Sequence, residues 1–175
     1  MLSIPESGMT FGPYPDDHCF YIEKSALYKN LPSGIKIAEF LLIRSKKDQV
    51  PALWIVEAKS SSPRQETQPN FDHFIAEISD KLVNTFSLGL ASCLRRHKQA
   101  TEELPEPFYL LDLSEIEIRF ILVINGHQDS WLPPLQDALK RSLRTTIETW
   151  ALSPCSVIVL NERFAQEYGL ISKTL

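Results

Sequence analysis

Ala52-Leu53-Trp54-Ile55-Val56-Glu57-Ala58-Lys59 is the stretch of this sequence that decides the fold. Its first five residues are apolar and predict a buried strand, which then ends in an acid and a lysine. Side chains two residues apart on a strand point to the same face of a sheet, so Glu57 and Lys59 share a face. Two charges on the inner face of an apolar strand indicate binding or catalysis. The plainer interpretation is an ion pair at the exposed end of a strand.

A second apolar strand is predicted upstream, over Ile35–Ile43, and it also carries one acid on its apolar face, Glu39. The polar residues Ser45–Gln49 favour a tight reversal between the two strands. If this hairpin is symmetric about Asp48, Glu39 lies directly across from Glu57. Opposed side chains in an antiparallel pair have Cβ atoms about 4.5–5.5 Å apart. The sequence therefore predicts two carboxylates that face each other.

Two facing carboxylates repel, and the repulsion is costly where water is excluded. A divalent cation between Glu39 and Glu57 removes the conflict. A ligand set made only of oxygen atoms suits a hard ion such as Mg²⁺, which also binds water and substrate phosphate. Lys59, on the same face, is then placed to orient a water molecule or to neutralise charge on a phosphate.

Glu39 followed by Glu57-Ala58-Lys59 on an apolar hairpin resembles the PD-(D/E)XK nuclease superfamily, which has the restriction-endonuclease-like fold. The resemblance implies that Glu39 and Glu57 bind the metal through their side chains and Ala58 through its carbonyl. It also implies that Lys59 assists the attacking water. The family's first helix often supplies a further acid, and Glu23 is the corresponding candidate. The resemblance extends from about Asp16 to about Asn161, although its motif residues lie between Glu39 and Lys59.

The activity that this resemblance implies is Mg²⁺- or Mn²⁺-dependent hydrolysis of phosphodiester bonds, with DNA preferred over RNA, in defence or repair. An alternative of another class is a catalytically inactive subunit with the same fold that mediates protein or nucleic-acid interactions in a larger assembly. A third hypothesis is a sensor that binds nucleic acid without cutting it.

The fold class expected from the whole chain is α/β, with a mixed central sheet flanked by helices in a single domain over residues 1–175. Residues 1–15, rich in Pro, Gly and Ser, are expected to form an extended arm. Hydrophobic periodicity predicts the remaining elements. They are a helix from Asp16 or Asp17 to about Asn30, the hairpin, a polar loop over Ser60–Pro69, a helix from Asn70 to near Lys98, a strand over Ile116–Ile124, a helix over about Leu132–Trp150, a strand over Cys155–Leu160 and a short helix around Phe164.

The charged residues allow two interpretations. The net charge of -4 argues against a free-standing binder of bulk nucleic acid and favours weak substrate affinity or help from a partner subunit. The partner expected is a further subunit or a second copy of the chain in a homodimer. Local basic groups remain candidates for nucleic-acid contact, namely Arg95, Arg96, Lys140 and Arg141, although the first two also suit the dipole at a helix C-terminus. Glu77 and Lys81 stand four residues apart and are predicted to form a surface pair, with a phosphate contact by Lys81 as the alternative.

The remaining composition sets limits on location and chemistry. Cys19, Cys93 and Cys155 are isolated in the sequence, which indicates neither a zinc site nor a disulfide framework and favours a reducing, cytoplasmic setting. The first residues lack the pattern of a signal peptide, and no apolar run reaches membrane-spanning length, so no membrane partner is expected. His127 follows the third predicted strand and is a candidate accessory residue.

Overall fold

The structure, a computed structural model, describes residues 1–45, 49–98 and 100–172. Its centre is a five-stranded sheet in the order β3-β4-β5-β6-β7. β3 to β5 are antiparallel, whereas β6 and β7 run parallel to β5. The strands are β3 (Cys19–Phe20), β4 (Phe40–Arg44), β5 (Ala52–Lys59), β6 (Glu117–Ile124) and β7 (Val157–Asn161). The mixed sheet with flanking helices confirms the predicted fold class at this level.

The register of the β4–β5 hairpin matches the prediction. Phe40 pairs with Val56 and Arg44 with Ala52, so the pairs are symmetric about position 48. The predicted turn itself, at Asp48, lies outside the described residues. β4, however, begins at Phe40, and the prediction of a strand from Ile35 was wrong.

The backbone just before β4 is held by contacts other than a strand ladder. The Ala38 N–H donates to Thr85 Oγ1 at 2.6 Å. The Glu39 N–H donates to the Val56 carbonyl at 3.0 Å, one residue out of the ladder's register. Glu39 therefore lies beside Glu57 at the end of the ladder and is not paired with it inside the ladder.

Each face of the sheet is covered by its own apolar layer. The side chains of β4 and β5 alternate between the layers, as expected for strands. The helix side is covered by α2 (Asn70–Cys93) and α5 (Leu132–Ser142), and it buries Leu41, Ile43, Leu53, Ile55, Ile78 and Leu82. The opposite side buries Phe40, Leu42, Trp54 and Val56 against Ile4, Phe11 and Ala165. Glu39 and Glu57 belong to the helix side.

Residues 1–15 fold onto the sheet, which corrects the expectation of an extended arm. β1 (Leu2–Glu6) and β2 (Met9–Tyr14) form an antiparallel hairpin, with Glu6 paired to Met9. The two-residue turn Ser7-Gly8 has φ values of 51 and 78, the left-handed region that tight hairpins require. The hairpin is stabilised because Ile4, Met9, Phe11 and Tyr14 are buried.

The single helix predicted between Asp16 and Asn30 was wrong. This segment contains β3, a 3₁₀ turn at Ile22–Lys24 and the short α1 (Ala26–Lys29). Ser25 interrupts the helical path because its backbone is extended, and its side chain accepts a hydrogen bond from the Tyr28 N–H. A residue with this geometry is an N-cap, so it starts a new helix and cannot lie inside a longer one.

The other helices differ from the predictions mainly at their ends. α2 ends at Cys93. The helix predicted up to Trp150 is divided at Leu143 into α5 and α6 (Arg144–Thr149). Two short helices that were not predicted, α3 (Ala100–Glu103) and α4 (Glu106–Tyr109), lie in the connector before β6, and α7 (Glu162–Glu167) follows β7. Within the described ranges, no helix is both long enough and apolar enough to cross a membrane.

Candidate active site

The candidate site lies where β5 continues past the end of β4. Beyond Val56, β5 has no β4 partner, because the ladder ends at the Phe40–Val56 pair. Glu57, Ala58 and Lys59 remain paired with β6 on the other side. At the end of β5 the Ala58 carbonyl therefore points to the side where β4 no longer pairs with it. The side chains of Glu57 and Lys59 point toward α2.

Glu57 is completely buried and is balanced by two lysines. Its Oε1 accepts hydrogen bonds from Lys81 Nζ at 2.8 Å and lies 3.1 Å from Lys59 Nζ. Its Oε2 is buried, and no described residue donates to it. Burial raises the pKa of Glu57 above its usual range, and the charges and hydrogen bonds of Lys81 and Lys59 oppose that rise.

The predicted surface pair between Glu77 and Lys81 was wrong, because Lys81 pairs with Glu57. The ammonium turns inward to Glu57 and its side chain is only 12% exposed. Glu77 instead approaches Lys59 at 3.6 Å and Lys36 at 3.5 Å. The reason is energetic: a solvent-exposed pair contributes less than about 1 kcal/mol, whereas an unpaired buried carboxylate costs several. Lys81 is thus a site residue whose partner the sequence did not reveal.

Glu39 is 4% exposed, and its Oε2 is also buried with no hydrogen-bond donor among the described residues. Its backbone carbonyl accepts from the Glu23 N–H at 3.2 Å. Burial, the negative charge of Glu57 and a side-chain hydrogen bond with Glu23 raise the pKa of Glu39 to about 8. With no cation bound, Glu39 therefore carries a proton at neutral pH.

Glu39 also belongs to a group of three carboxylates, together with Glu6 and Glu23. Glu6, Glu23 and Glu39 each place one oxygen within 4.8 Å of the other two. Glu6 comes from the end of β1 and Glu23 from the 3₁₀ turn, so the N-terminal hairpin contributes directly to the site. The Tyr21 hydroxyl donates to Glu6 Oε2 at 2.7 Å, which helps to fix its position.

Glu6 was missed by the sequence analysis, which had placed residues 1–15 in an arm. A usable signal was present: Leu2, Ile4 and Glu6 alternate with polar or exposed positions, and Ser7-Gly8 is a typical hairpin turn. Such a pattern predicts a strand that ends in an acid, as in β5. It does not say against which surface the hairpin packs.

The Ala58 carbonyl, predicted as a backbone ligand, accepts a hydrogen bond from Ser7 Oγ at 3.0 Å. A carbonyl oxygen has two lone pairs, so one acceptor position remains. The Ser7 carbonyl in turn accepts from Asn125 Nδ2 at 3.1 Å, which ties the hairpin turn to the end of β6. A side chain at position 8 would collide with this link, because a Cβ on Gly8 would lie 2.7 Å from Asn125 Nδ2.

The four basic residues predicted to contact nucleic acid do not converge on the carboxylates. Arg95 and Arg96 follow the end of α2, and Arg95 stacks over Tyr109 at 4.9 Å. Cys93, the last residue of α2, lies twelve residues after Lys81, which is about 18 Å along the helix axis.

Lys140 and Arg141 are exposed on α5. Their neighbour Ser142 hydrogen-bonds Ser79, which points away from Lys81 because the two are two residues apart on α2. α5 therefore lies across α2 from Lys81 and from the carboxylates.

Comparison of the chain with protein-family models, with curated proteins and with solved structures found no match. The protein is therefore classified by its structure alone. It has a mixed α/β fold, with a cluster of buried acids and lysines at the end of a central strand. Because one fold can carry many activities, the function has to be argued from this site.

Proposed function

We propose that this chain is a Mg²⁺- or Mn²⁺-dependent nuclease with a restriction-endonuclease-like fold, which hydrolyses phosphodiester bonds of DNA in preference to RNA. The observation that carries the proposal is the buried Oε2 of Glu39, which has no hydrogen-bond donor in the described part of the chain, on a residue that belongs to a group of three carboxylates. Buried polar atoms are nearly always satisfied in folded proteins, so such an atom requires an explanation.

The residues present fit a hard divalent cation. Glu6, Glu23 and Glu39 supply only oxygen ligands and lie within 4.8 Å of each other. Mg²⁺ is commonly bound by one or two carboxylates together with water and phosphate oxygens. When bound, such a cation lowers the pKa of a coordinated water and neutralises charge on a phosphate.

The residues of β5 have separate tasks in this proposal. Lys81 and Lys59 oppose the rise in the pKa of Glu57 that its burial causes, and Glu57 Oε2 has no hydrogen-bond partner among the described residues. Lys59 is 26% exposed, so its ammonium can reach a phosphate oxygen from the open end of the strand. Donors aimed at developing charge contribute strongly in sites from which water is excluded.

A second candidate function is supported by one observation. Glu57 already has two ammonium partners, so the end of β5 is electrostatically compensated without a cation. This arrangement favours a catalytically inactive nuclease-fold subunit that mediates interactions in a larger assembly.

Two measurements separate the candidates. Mn²⁺ titration calorimetry should show binding to the wild type that is lost in Glu39→Gln. Cleavage of DNA in Mg²⁺ should fall at least about a hundredfold in Lys59→Met, the size of effect seen when a donor to a transition state is removed. Glu148→Gln is the matched control, because Glu148 is exposed and paired only with Arg144 in the described structure.

Cleavage that survives excess EDTA would contradict the nuclease mechanism, as would unchanged cleavage in both variants. Absence of Mn²⁺ binding together with absence of cleavage would support the inactive subunit.

A further inference from the structure

A second group of polar side chains lies at the same end of the sheet as Lys59. The loop after β5 carries Ser62 and Arg64, and the loop after β6 carries His127 and Trp131. The two strand ends are joined by a hydrogen bond from the Asn125 N–H to the Lys59 carbonyl at 2.9 Å. The carboxyl ends of strands in open α/β sheets are where ligands commonly bind.

Arg64 and Trp131 form the floor of this second group. The Arg64 guanidinium lies over the indole of Trp131, 4.0 Å from the ring centroid. The His127 ring meets the same indole edge-on at 5.1 Å. The lining of a cavity of about 180 Å³ includes these three residues together with Pro63, Phe71 and the acidic Glu66.

Arg64 stacks on an aromatic ring and has no carboxylate partner among the described residues, as is also true of Arg44 and Arg95. Arg119, Arg144 and Arg163 each pair with a carboxylate, whereas no described carboxylate forms an ion pair with Arg64. Stacking on an aromatic face leaves the N–H groups at the edge of a guanidinium free. Those groups match the geometry of a phosphate and bind it in a bidentate manner.

His127 and Ser62 add uncharged polar groups beside this guanidinium. His127 is 8% exposed, and its Nε2 lies 3.4 Å from Ser62 Oγ. Burial and the nearby charge of Arg64 lower the pKa of His127, so the imidazole is neutral at pH 7 and brings no second positive charge. The carbonyl of His127 accepts from Asn161 Nδ2 at 2.9 Å, which fixes the loop.

We propose that Arg64, supported by Trp131 and flanked by Ser62 and His127, is a subsite for a backbone phosphate of a nucleic-acid strand. The identity of the ligand rests on the proposed nuclease function. Ser62 follows Lys59 by three residues, which places their Cα atoms within about 11 Å of each other. The phosphate bound here is therefore a neighbour of the one presented to Lys59, and the subsite fixes the path of the strand.

The experiment measures DNA binding by fluorescence anisotropy with Ca²⁺ in place of Mg²⁺, so that the DNA stays intact, over a series of salt concentrations. Each phosphate contact contributes about 0.9 to the slope of log affinity against log salt on duplex DNA. Arg64→Ala should reduce that slope by about one and weaken binding about tenfold, equally for different sequences. Arg64→Lys should keep the slope but recover only part of the affinity, because lysine lacks the bidentate, stacked geometry.

Arg144→Ala is the control, because Arg144 is equally an arginine, is exposed and is engaged by Glu148. It should leave both slope and affinity unchanged. Thermal melts of all variants confirm that they are folded, and a Trp131→Phe variant, which keeps an aromatic floor, should retain most of the binding.

The outcomes separate this inference from the nuclease proposal. If the wild type cuts DNA but Arg64→Ala binds with the slope of the control, Arg64 and Trp131 only pack the loop, and the subsite is overturned. If DNA binding depends on Arg64 but no cleavage occurs with Mg²⁺, the subsite holds and the nuclease proposal fails. If the wild type does not bind DNA, the subsite is overturned as well.

Discussion

Replacing Glu39 by glutamine tests whether crowding of carboxylates forces a proton onto this residue in the cation-free protein. Burial, the charge of Glu57 and the hydrogen bond with Glu23 raise the pKa of Glu39 from 4.5 to about 8. Between these two values the folded protein holds a proton at Glu39 that the unfolded chain has released. Folding is therefore coupled to proton uptake over that window.

The sign and size of the effect follow from this difference. Below pH 4.5 both states are protonated and Glu39 contributes no pH dependence. From there to about pH 8 the free energy of unfolding falls as pH rises, by about 1.4 kcal/mol per pH unit for one proton. Between about pH 5.5 and about pH 7.5 the loss is about 3 kcal/mol. Glutamine has nearly the same shape, donates to Glu23 and does not titrate, so this loss is absent in the variant.

Urea unfolding in EDTA, followed by tryptophan fluorescence, measures the effect at the two pH values. The stability of Glu39→Gln minus that of the wild type should increase by about 3 kcal/mol from the lower to the higher pH. Titrating groups that do not interact with Glu39 cancel in this difference, because both proteins contain them. Glu148→Gln, at an exposed carboxylate outside the site, is the control measured in parallel. A constant difference for Glu39→Gln would refute the reasoning that the carboxylates share a proton.

Two further substitutions test the elements that hold the site together. Lys81→Met leaves the buried Glu57 with one lysine and should cost about 3 kcal/mol of unfolding free energy in urea titrations, most of which the added Glu57→Gln change should restore. Full stability of the single Lys81 variant would show that this ion pair does not stabilise the fold. Gly8→Ala should cost about 1 kcal/mol through its positive φ and its contact with Asn125, and should weaken Mn²⁺ binding in calorimetry because Glu6 belongs to the same hairpin. Unchanged Mn²⁺ affinity in a destabilised Gly8→Ala protein would remove Glu6 from the metal site.

The elements that the sequence predicted well depend on local patterns. The symmetry of the β4–β5 pairing follows from two apolar runs around a short polar segment. The division of their side chains between two apolar layers follows from strand alternation. The parallel β5, β6 and β7 follow from apolar strands separated by long amphipathic helices.

The residues that sequence analysis missed are those placed by distant contacts. Glu6 reaches the site because Ser7 bonds to Ala58 and Asn125, which are 51 and 118 residues away. No periodicity within the hairpin encodes that surface. Lys81 faces Glu57 because of the rotation of α2 over the sheet. Spacing along a helix gives neighbours on its own surface, and it cannot say which side chain meets a buried charge on another element.

The uneven distribution of compensating charge changes where a cation is expected. The sequence placed it midway between Glu39 and Glu57, on the assumption that both acids lack partners. In the structure Glu57 has Lys81 and Lys59, so adding two positive charges beside it would meet repulsion from both ammonium groups. Glu6, Glu23 and Glu39 form a group of three acids, and within the described ranges the one ammonium paired with them is that of Lys24, which contacts Glu23 and is 62% exposed. The negative charge of the three acids therefore favours a cation between Glu39 and the N-terminal hairpin. Glu57 and Lys59 then remain to contact the substrate.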